Sequence, residues 1–167
     1  MKGIIFTELN QLVEEKWGLA FWERLLQEVS PLSQGVYTSA DTYPDEELVS
    51  LLGGLSKLTK TPLEALLRAF GQYTLPHLKK LYPVFFEGKN AKQFLASVHG
   101  IIHVEVKKLY PDAVLPTIQY ENPAPDRLVM KYRSSRKLCA LAEGFIDGTA
   151  GLFNIPIQRT QTRCLHR

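Results

Sequence analysis

The sequence predicts an α+β domain, helical in its N-terminal part and followed by a small antiparallel sheet interrupted by a helix. Two observations predict it. Up to Leu109 apolar residues return mostly at steps of three and four, the period of helices that bury one face. Beyond Pro111 the pattern shortens: Thr117 to Glu121 and Arg127 to Ser134 read as strands, joined by Asn122-Pro123-Ala124-Pro125-Asp126, whose prolines and acid favour a turn. Ile155 onward reads as a further strand.

In chain order, Ile5, Leu9, Leu12, Val13 and Lys16 form one helical stripe, and Trp22, Leu25, Leu26 and Val29 a second. Ser30 to Asp41 reads as a loop. Pro44 and the acids Asp45, Glu46 and Glu47 open the next helix, because negative charge suits the positive end of the helix dipole. Thr61-Pro62-Leu63-Glu64 opens another as a capping box, with Leu63, Leu66, Leu67 and Phe70 turned to the core. Gly71 to Gly88, which contains Pro76 and Pro83, reads as a short helix and a loop, with His77 an ordinary, partly exposed residue there. Asn90 with Gln93 is a variant capping box that starts a helix running to Tyr110. Phe94, Leu95, Val98, Ile101, Ile102, Val106 and Leu109 give that helix a wide buried face, and Pro111 stops it. Lys137 to Phe153 is the last helix, with Leu138, Leu141, Ala142 and Phe145 on one face.

A chain of 167 residues is expected to form a single domain, 1–167, large enough to enclose a cofactor. No repeat or low-complexity tract interrupts it. With 20 basic and 17 acidic residues it has no concentrated basic face, so nucleic acid is not an expected partner. The opening Gly-Ile-Ile-Phe is broken by Thr7 and Glu8, and no run reaches membrane-spanning length, so a cytoplasmic protein is expected. The two cysteines make no disulfide framework. Cys164 and His166 share a face if extended, and with Cys139 they give three candidate zinc ligands; two reduced cysteines without metal is the other reading. No nucleophile elbow, phosphate loop or acid and base carboxylate pair is recognisable, so no enzyme is expected.

Two clusters carry chemistry. His99 and His103, four residues apart, project from one side of their helix, although either can be a core histidine satisfied by a single hydrogen bond. Gly100 stands where a zinc protease would carry glutamate. On the second predicted strand and just past it, Tyr132, Ser134 and Arg136 fall at alternate positions. A guanidinium fork and two hydroxyls can satisfy a pair of carboxylates, or they can be ordinary polar residues at a strand end. Together the clusters suggest a metal bound beside an anion.

Tyr132-Arg133-Ser134-Ser135-Arg136 resembles the Tyr-x-Ser-x-Arg motif of the haem-nitric oxide/oxygen binding (H-NOX) family, the fold of bacterial gas sensors and of the haem domain of soluble guanylate cyclase. The Tyr110-Pro111 pair, with His103 seven residues before the tyrosine, and the opening Met1-Lys2-Gly3-Ile4-Ile5 are similar to the family too. The resemblance implies haem b with its iron ligated by His103, its propionates clamped by Tyr132, Ser134 and Arg136, and its ring pressed by Pro116. It also implies a distal pocket lined by Ile5, Leu9, Thr74, Leu141 and Phe145. Oxygen-binding members carry a tyrosine five residues after the motif arginine; here that position is Leu141.

The function implied is therefore a sensor that binds nitric oxide and carbon monoxide and excludes oxygen. Nitric oxide weakens the iron bond opposite to it, so the His103 link lengthens or breaks and its helix is free to shift. By the same resemblance the chain is a bacterial, monomeric protein that signals to a separate histidine kinase, in two-component signalling, or to a cyclic-di-GMP enzyme. An oxygen-binding sensor, a haem oxidoreductase and a metal-free scaffold are the alternatives. The oxidoreductase is disfavoured because no distal His and Arg pair is identifiable to cleave a peroxide.

Overall fold

A computed structural model describes residues 1–162. Seven α-helices, a π turn and a two-stranded sheet follow one another among them: α1 Gly3–Trp17, α2 Leu19–Val29, α3 Asp45–Thr59, α4 Leu63–Leu81, α5 Ala91–Ser97, the π turn Val98–Ile102, α6 His103–Leu109, β1 Thr117–Ala124, β2 Arg127–Arg133 and α7 Cys139–Leu152. A short 3-10 turn, Pro83–Phe85, leads from α4 toward α5.

The junction of α1 and α2 shows how local chemistry sets the helices. Gly18 takes φ 87° and returns its N–H to the Glu14 carbonyl at 2.8 Å, which ends α1 with a residue that carries no Cβ penalty. The new direction lets Trp22 and Leu25 bury against Phe6, Leu9 and Val13 of α1. Each such side chain contributes roughly 1.5–3 kcal/mol by leaving water.

The core has two clusters. Phe6, Leu9, Val13, Leu25, Leu51, Leu55, Phe70 and Leu141 belong to the first, built by α1 to α4 and the start of α7. Leu75, Phe86, Phe94 and Leu95 form the second, against which Ile102, the β2 residues Leu128 and Met130, and Ile157 pack. Phe145 of α7 packs against both. The contact between α4 and α7 is unusually close: a Cβ on Gly144 would stand 2.1 Å from the Arg68 carbonyl oxygen, and one on Gly71 2.5 Å from that of Leu141. Glycine is required there for the helix backbones to meet.

The α+β order is as the sequence predicts, but several details differ, and Ile101 and Leu109, expected on a buried face, are exposed. First, α4 continues through Gly71 and Pro76 to Leu81, because its face Leu66, Leu67, Phe70, Gly71, Thr74 and Leu75 is buried along its length and outweighs one lost backbone bond. Second, its start carries no side-chain cap and Leu63 is exposed; Ala65 and Leu66 instead donate their N–H groups to the Pro62 carbonyl. Third, the run from Asn90 has its capping box, with Gln93 N–H on Asn90 Oδ1 at 2.9 Å, but is divided by the π turn. Fourth, residues 155–162 form no strand. That segment is anchored by side chains, with Arg159 Nη1 on Asp147 Oδ1 at 2.8 Å and Ile157 in the second cluster, so it lies along α7 rather than on a sheet edge.

The two strands pair antiparallel from Thr117↔Arg133 to Ala124↔Arg127, with an irregularity between Glu121 and Ala124. Part of the predicted turn thus belongs to β1. Lys92 holds the hairpin end to α5 through the carbonyls of Ala124 at 2.5 Å and Pro125 at 2.9 Å. His77 is partly exposed, as expected, and its Nδ1 lies 2.7 Å from Glu8 Oε2, joining α4 to α1.

Candidate functional site

The π turn is where the two histidines are set. His103 donates its backbone N–H to Val98, five residues back, so the helix is wider there than a regular turn. The rings of His99 and His103 stand 6.0 Å apart at 87°, and the His99 N–H is donated to the Tyr120 hydroxyl of β1 at 3.3 Å. Both Nδ1 atoms are buried without a hydrogen-bond partner among the described residues. Burial pushes the His103 pKa below the ordinary histidine value; the neighbouring His99 acts the same way and the Pro116 carbonyl opposes it. His103 is therefore a neutral imidazole at neutral pH, with a lone pair available to a soft metal.

The loop after α6 joins this helix to the end of β2. Lys107 Nζ binds the Ala113 carbonyl at 2.8 Å, Arg136 Nη1 binds that of Val114 at 2.5 Å, and Pro116 lies beside His103. Tyr132, Ser134 and Arg136 form one string: the Tyr132 hydroxyl is bonded to Ser134, and Ser134 Oγ accepts the Arg136 N–H at 3.2 Å. Burial raises the Tyr132 pKa, with the Ser134 bond acting against it, so the phenol keeps its proton to donate.

Arg136 Nε donates to Asp45 Oδ2 at 2.6 Å, and Asp45 Oδ1 accepts from the Met1 amino group at 2.7 Å. Burial alone would raise the Asp45 pKa, but the bonds from Arg136 and the Met1 amine hold it below the usual carboxylate value. Asp45 thereby fixes the guanidinium edge-on, leaving Nη2 without a partner among the described residues.

On the other side of the fold, Leu9 and Leu141 are buried in the first cluster with Ile5 and Phe145 packed on it. Thr74 is 0% exposed and its Oγ1 has no partner among the described residues. It stands three residues after Gly71, the position on α4 that abuts Leu141 and Phe145 of α7. The predicted lining is thus gathered around one helix pair, while Ile102, the residue before His103, packs against the second cluster.

Several members were not foreseen. Asp45 lies 91 residues from Arg136, and no local spacing reveals such a pair. Tyr120 carries no cue in the sequence beyond its place in the first predicted strand. Gly100, a weak helix former in mid-helix, was the one cue to an irregular turn between the histidines. Of the zinc candidates, Cys139 starts α7 while Cys164 and His166 lie outside the described residues, among which no cluster of three or more metal-ligating side chains occurs. Nor is any described helix long and apolar enough to cross a membrane.

Comparison with known proteins fits this geometry. A family model described as Haem-NO-binding matches residues 2–161. The Fe(II) unliganded H-NOX protein from K. algicida is 39% identical, with a TM-score of 0.85 over 92% of this chain and 84% of that one. The H-NOX protein from S. oneidensis in its Fe(II)NO state is 32% identical, with a TM-score of 0.91 over 99% and 92% of the two chains. Soluble guanylate cyclase 89Db of Drosophila melanogaster is 25% identical over 139 residues, which is 81% of this chain and 20% of that protein. The chain thus spans about one fifth of the length of the curated relatives it matches.

Proposed function

Because the chain belongs to the haem-NO-binding family, the H-NOX domains of haem-based gas sensing, we propose that it is a nitric oxide sensor that excludes oxygen. The residues fit the cofactor: a neutral imidazole with a lone pair to give, a string of donors ending in a guanidinium held by Asp45 and the Val114 carbonyl, and an apolar lining. His103 would ligate the iron, and Tyr132, Ser134 and Arg136 would hold the propionates, with Pro116 against the ring. When bound, haem supplies an iron with one coordination position open to a diatomic gas.

Selectivity rests on one observation. Leu141, buried to 7% exposure beside Ile5, Leu9 and Phe145, stands where oxygen-binding members carry a tyrosine. A leucine cannot donate a hydrogen bond to the partial negative charge that develops on oxygen, whereas nitric oxide and carbon monoxide need no such donor. The His103 helix supplies the output. A ligand shifts a conformational equilibrium only by its differential affinity for the two states, and a helix tied through one imidazole supplies that difference. Ile101, Val104 and Leu109 are exposed on this same segment, which supports a separate partner, a histidine kinase or a cyclic-di-GMP enzyme, reading its position.

The test is an anaerobic absorption spectrum of the reduced protein, before and after nitric oxide, with air admitted to a separate sample. A Soret band that shifts with nitric oxide but not with oxygen is expected. A stable oxygen complex in air would move the function to oxygen sensing, and a colourless protein that takes up no haem would overturn the reading altogether.

A further inference from the structure

The seam between α4 and α7 is close because it is built on glycine, and glycine alone does not fix it. Gly71, Gly144 and Gly148 bring the two backbones together, and a Cβ on Gly148 would meet Gln72 at 3.2 Å. Packed helices are held in register by side-chain ridges seated in the partner's grooves, and a glycine offers no ridge. What opposes sliding or separation at this level must come from beside the seam.

Four charged side chains stand there. Arg68 of α4 donates from Nη2 to Glu143 Oε2 of α7, and its Nε lies 3.7 Å from Asp147 Oδ2. Arg159, from the segment that follows α7, donates from Nη1 to Asp147 Oδ1 at 2.8 Å and to the Glu143 carbonyl at 2.9 Å, and its Nη2 lies 3.8 Å from Glu143 Oε2. Both guanidinium groups thus meet both carboxylates, and the network is neutral as a whole. The Glu143 side chain is 10% exposed and that of Arg159 25%, so water screens these pairs less than it screens surface ones. Removing the Arg68 charge would leave Glu143 buried with poor compensation. Glu143 and Asp147 are four residues apart on α7, as are Leu141 and Phe145 of the proposed gas lining, so network and lining ride on the same stretch of one helix.

We propose that Arg68, Glu143, Asp147 and Arg159 are positioning residues that lock α4 on α7 and so set how tightly Leu141, Phe145 and Thr74 close around a bound diatomic gas. The inference rests on the proposed function, which places the gas at that lining. Arg68 to Glu143 is the principal tie, because of these contacts it alone joins α4 to α7 at hydrogen-bond distance. Arg159 steadies the two acids from the side of the following segment. The lock acts on the gas through the two helices, not by contact.

The experiment uses the full, haem-loaded ferrous protein and the variants Arg68→Met, Glu143→Gln, the two combined, and Arg68→Lys. Mixing the carbon monoxide complex with excess nitric oxide in stopped flow gives the carbon monoxide dissociation rate, and amide hydrogen exchange is followed across 68–75 and 141–148. Either single variant is expected to raise both rates roughly 10-fold, with the Soret band of the unliganded ferrous protein and exchange in α6 unchanged. The combined variant should be no faster than the faster single one, since both remove the same tie. Arg68→Lys, which keeps the charge, should restore part of the wild-type behaviour. A wild-type dissociation rate in the loaded single variants, even with faster exchange, overturns the inference alone, as does a combined variant whose effects multiply. If neither single variant folds, Arg159→Met is read instead, and a dissociation rate equal to the wild type overturns the lock. A wild type that takes up no haem would instead remove the proposed function itself.

Discussion

Arg136 illustrates how a single side chain ties the site to the fold. Its Nε on Asp45 and Nη1 on the Val114 carbonyl hold two of the three guanidinium nitrogens, so the third is pre-aimed rather than free to rotate. Because the folded Asp45 pKa is depressed, its contribution to stability is fully present above the ordinary aspartate value of about 3.9 and is lost as pH falls through the folded value. Asp45→Asn should therefore lower Tm at pH 7 and flatten its decline below about pH 4, as thermal melts across that range would record. At Leu141 the effect is on ligand choice. Leu141→Tyr places a hydroxyl in the apolar lining, and a hydrogen bond to a charged acceptor is worth about 1.5–3 kcal/mol, or roughly 10- to 100-fold in oxygen affinity; absorption spectra in air would show it. The single residues with the most chemistry, His103 and the Tyr132, Ser134 and Arg136 string, were legible because their types and spacing are local. The supports around them were not, since Asp45 reaches Arg136, and Tyr120 reaches His99, only through tertiary contact.

Elements were legible wherever one face is buried and the period is clean, as in α1, α2 and the two strands. They were misread where a local signal opposed a packing force. Pro76 argued for a break, yet α4 passes through it because Phe70, Thr74 and Leu75 are all buried. Ile155 and Ile157 suggested alternation, yet the segment is held by Arg159 and by packing rather than by a ladder. The α4–α7 contact gives the sharpest test at this scale. Gly144→Ala forces a methyl into the Arg68 carbonyl and is expected to cost about 1–3 kcal/mol or more, whereas Gly151→Ala on the same helix meets nothing within 4 Å and should be neutral or gain up to about 1 kcal/mol. Chemical denaturation of the two variants side by side would read the difference, and equal stabilities would contradict the packing described here.

At the scale of the whole molecule, the two core clusters make two packed bodies that share α4 and α7, with Phe145 in contact with each. The apolar lining belongs to the first body, and Ile102 of the π turn that leads into α6 packs with the second. Few bonds cross elsewhere: Arg136 to Asp45 joins the turn after β2 to α3, and Thr42 Oγ1 to Asp112 Oδ2, at 2.5 Å, joins the loop after α6 to the segment before α3. The second of these is exposed and therefore weak. A group bound between the bodies and tied to His103 would be the stronger link, so releasing that tie should loosen α6 far more than it loosens α1 or α3. His103→Gly loaded with haem and free imidazole keeps an axial ligand but cuts the tie. Its amide hydrogen exchange is expected to be faster across 98–109 than in the unliganded ferrous wild type, close to that of the nitric oxide complex, and unchanged in α1 and α3. Protection equal to the unliganded wild type across 98–109 would show that the helix is held by its packing alone, and signalling through the His103 tether would fall.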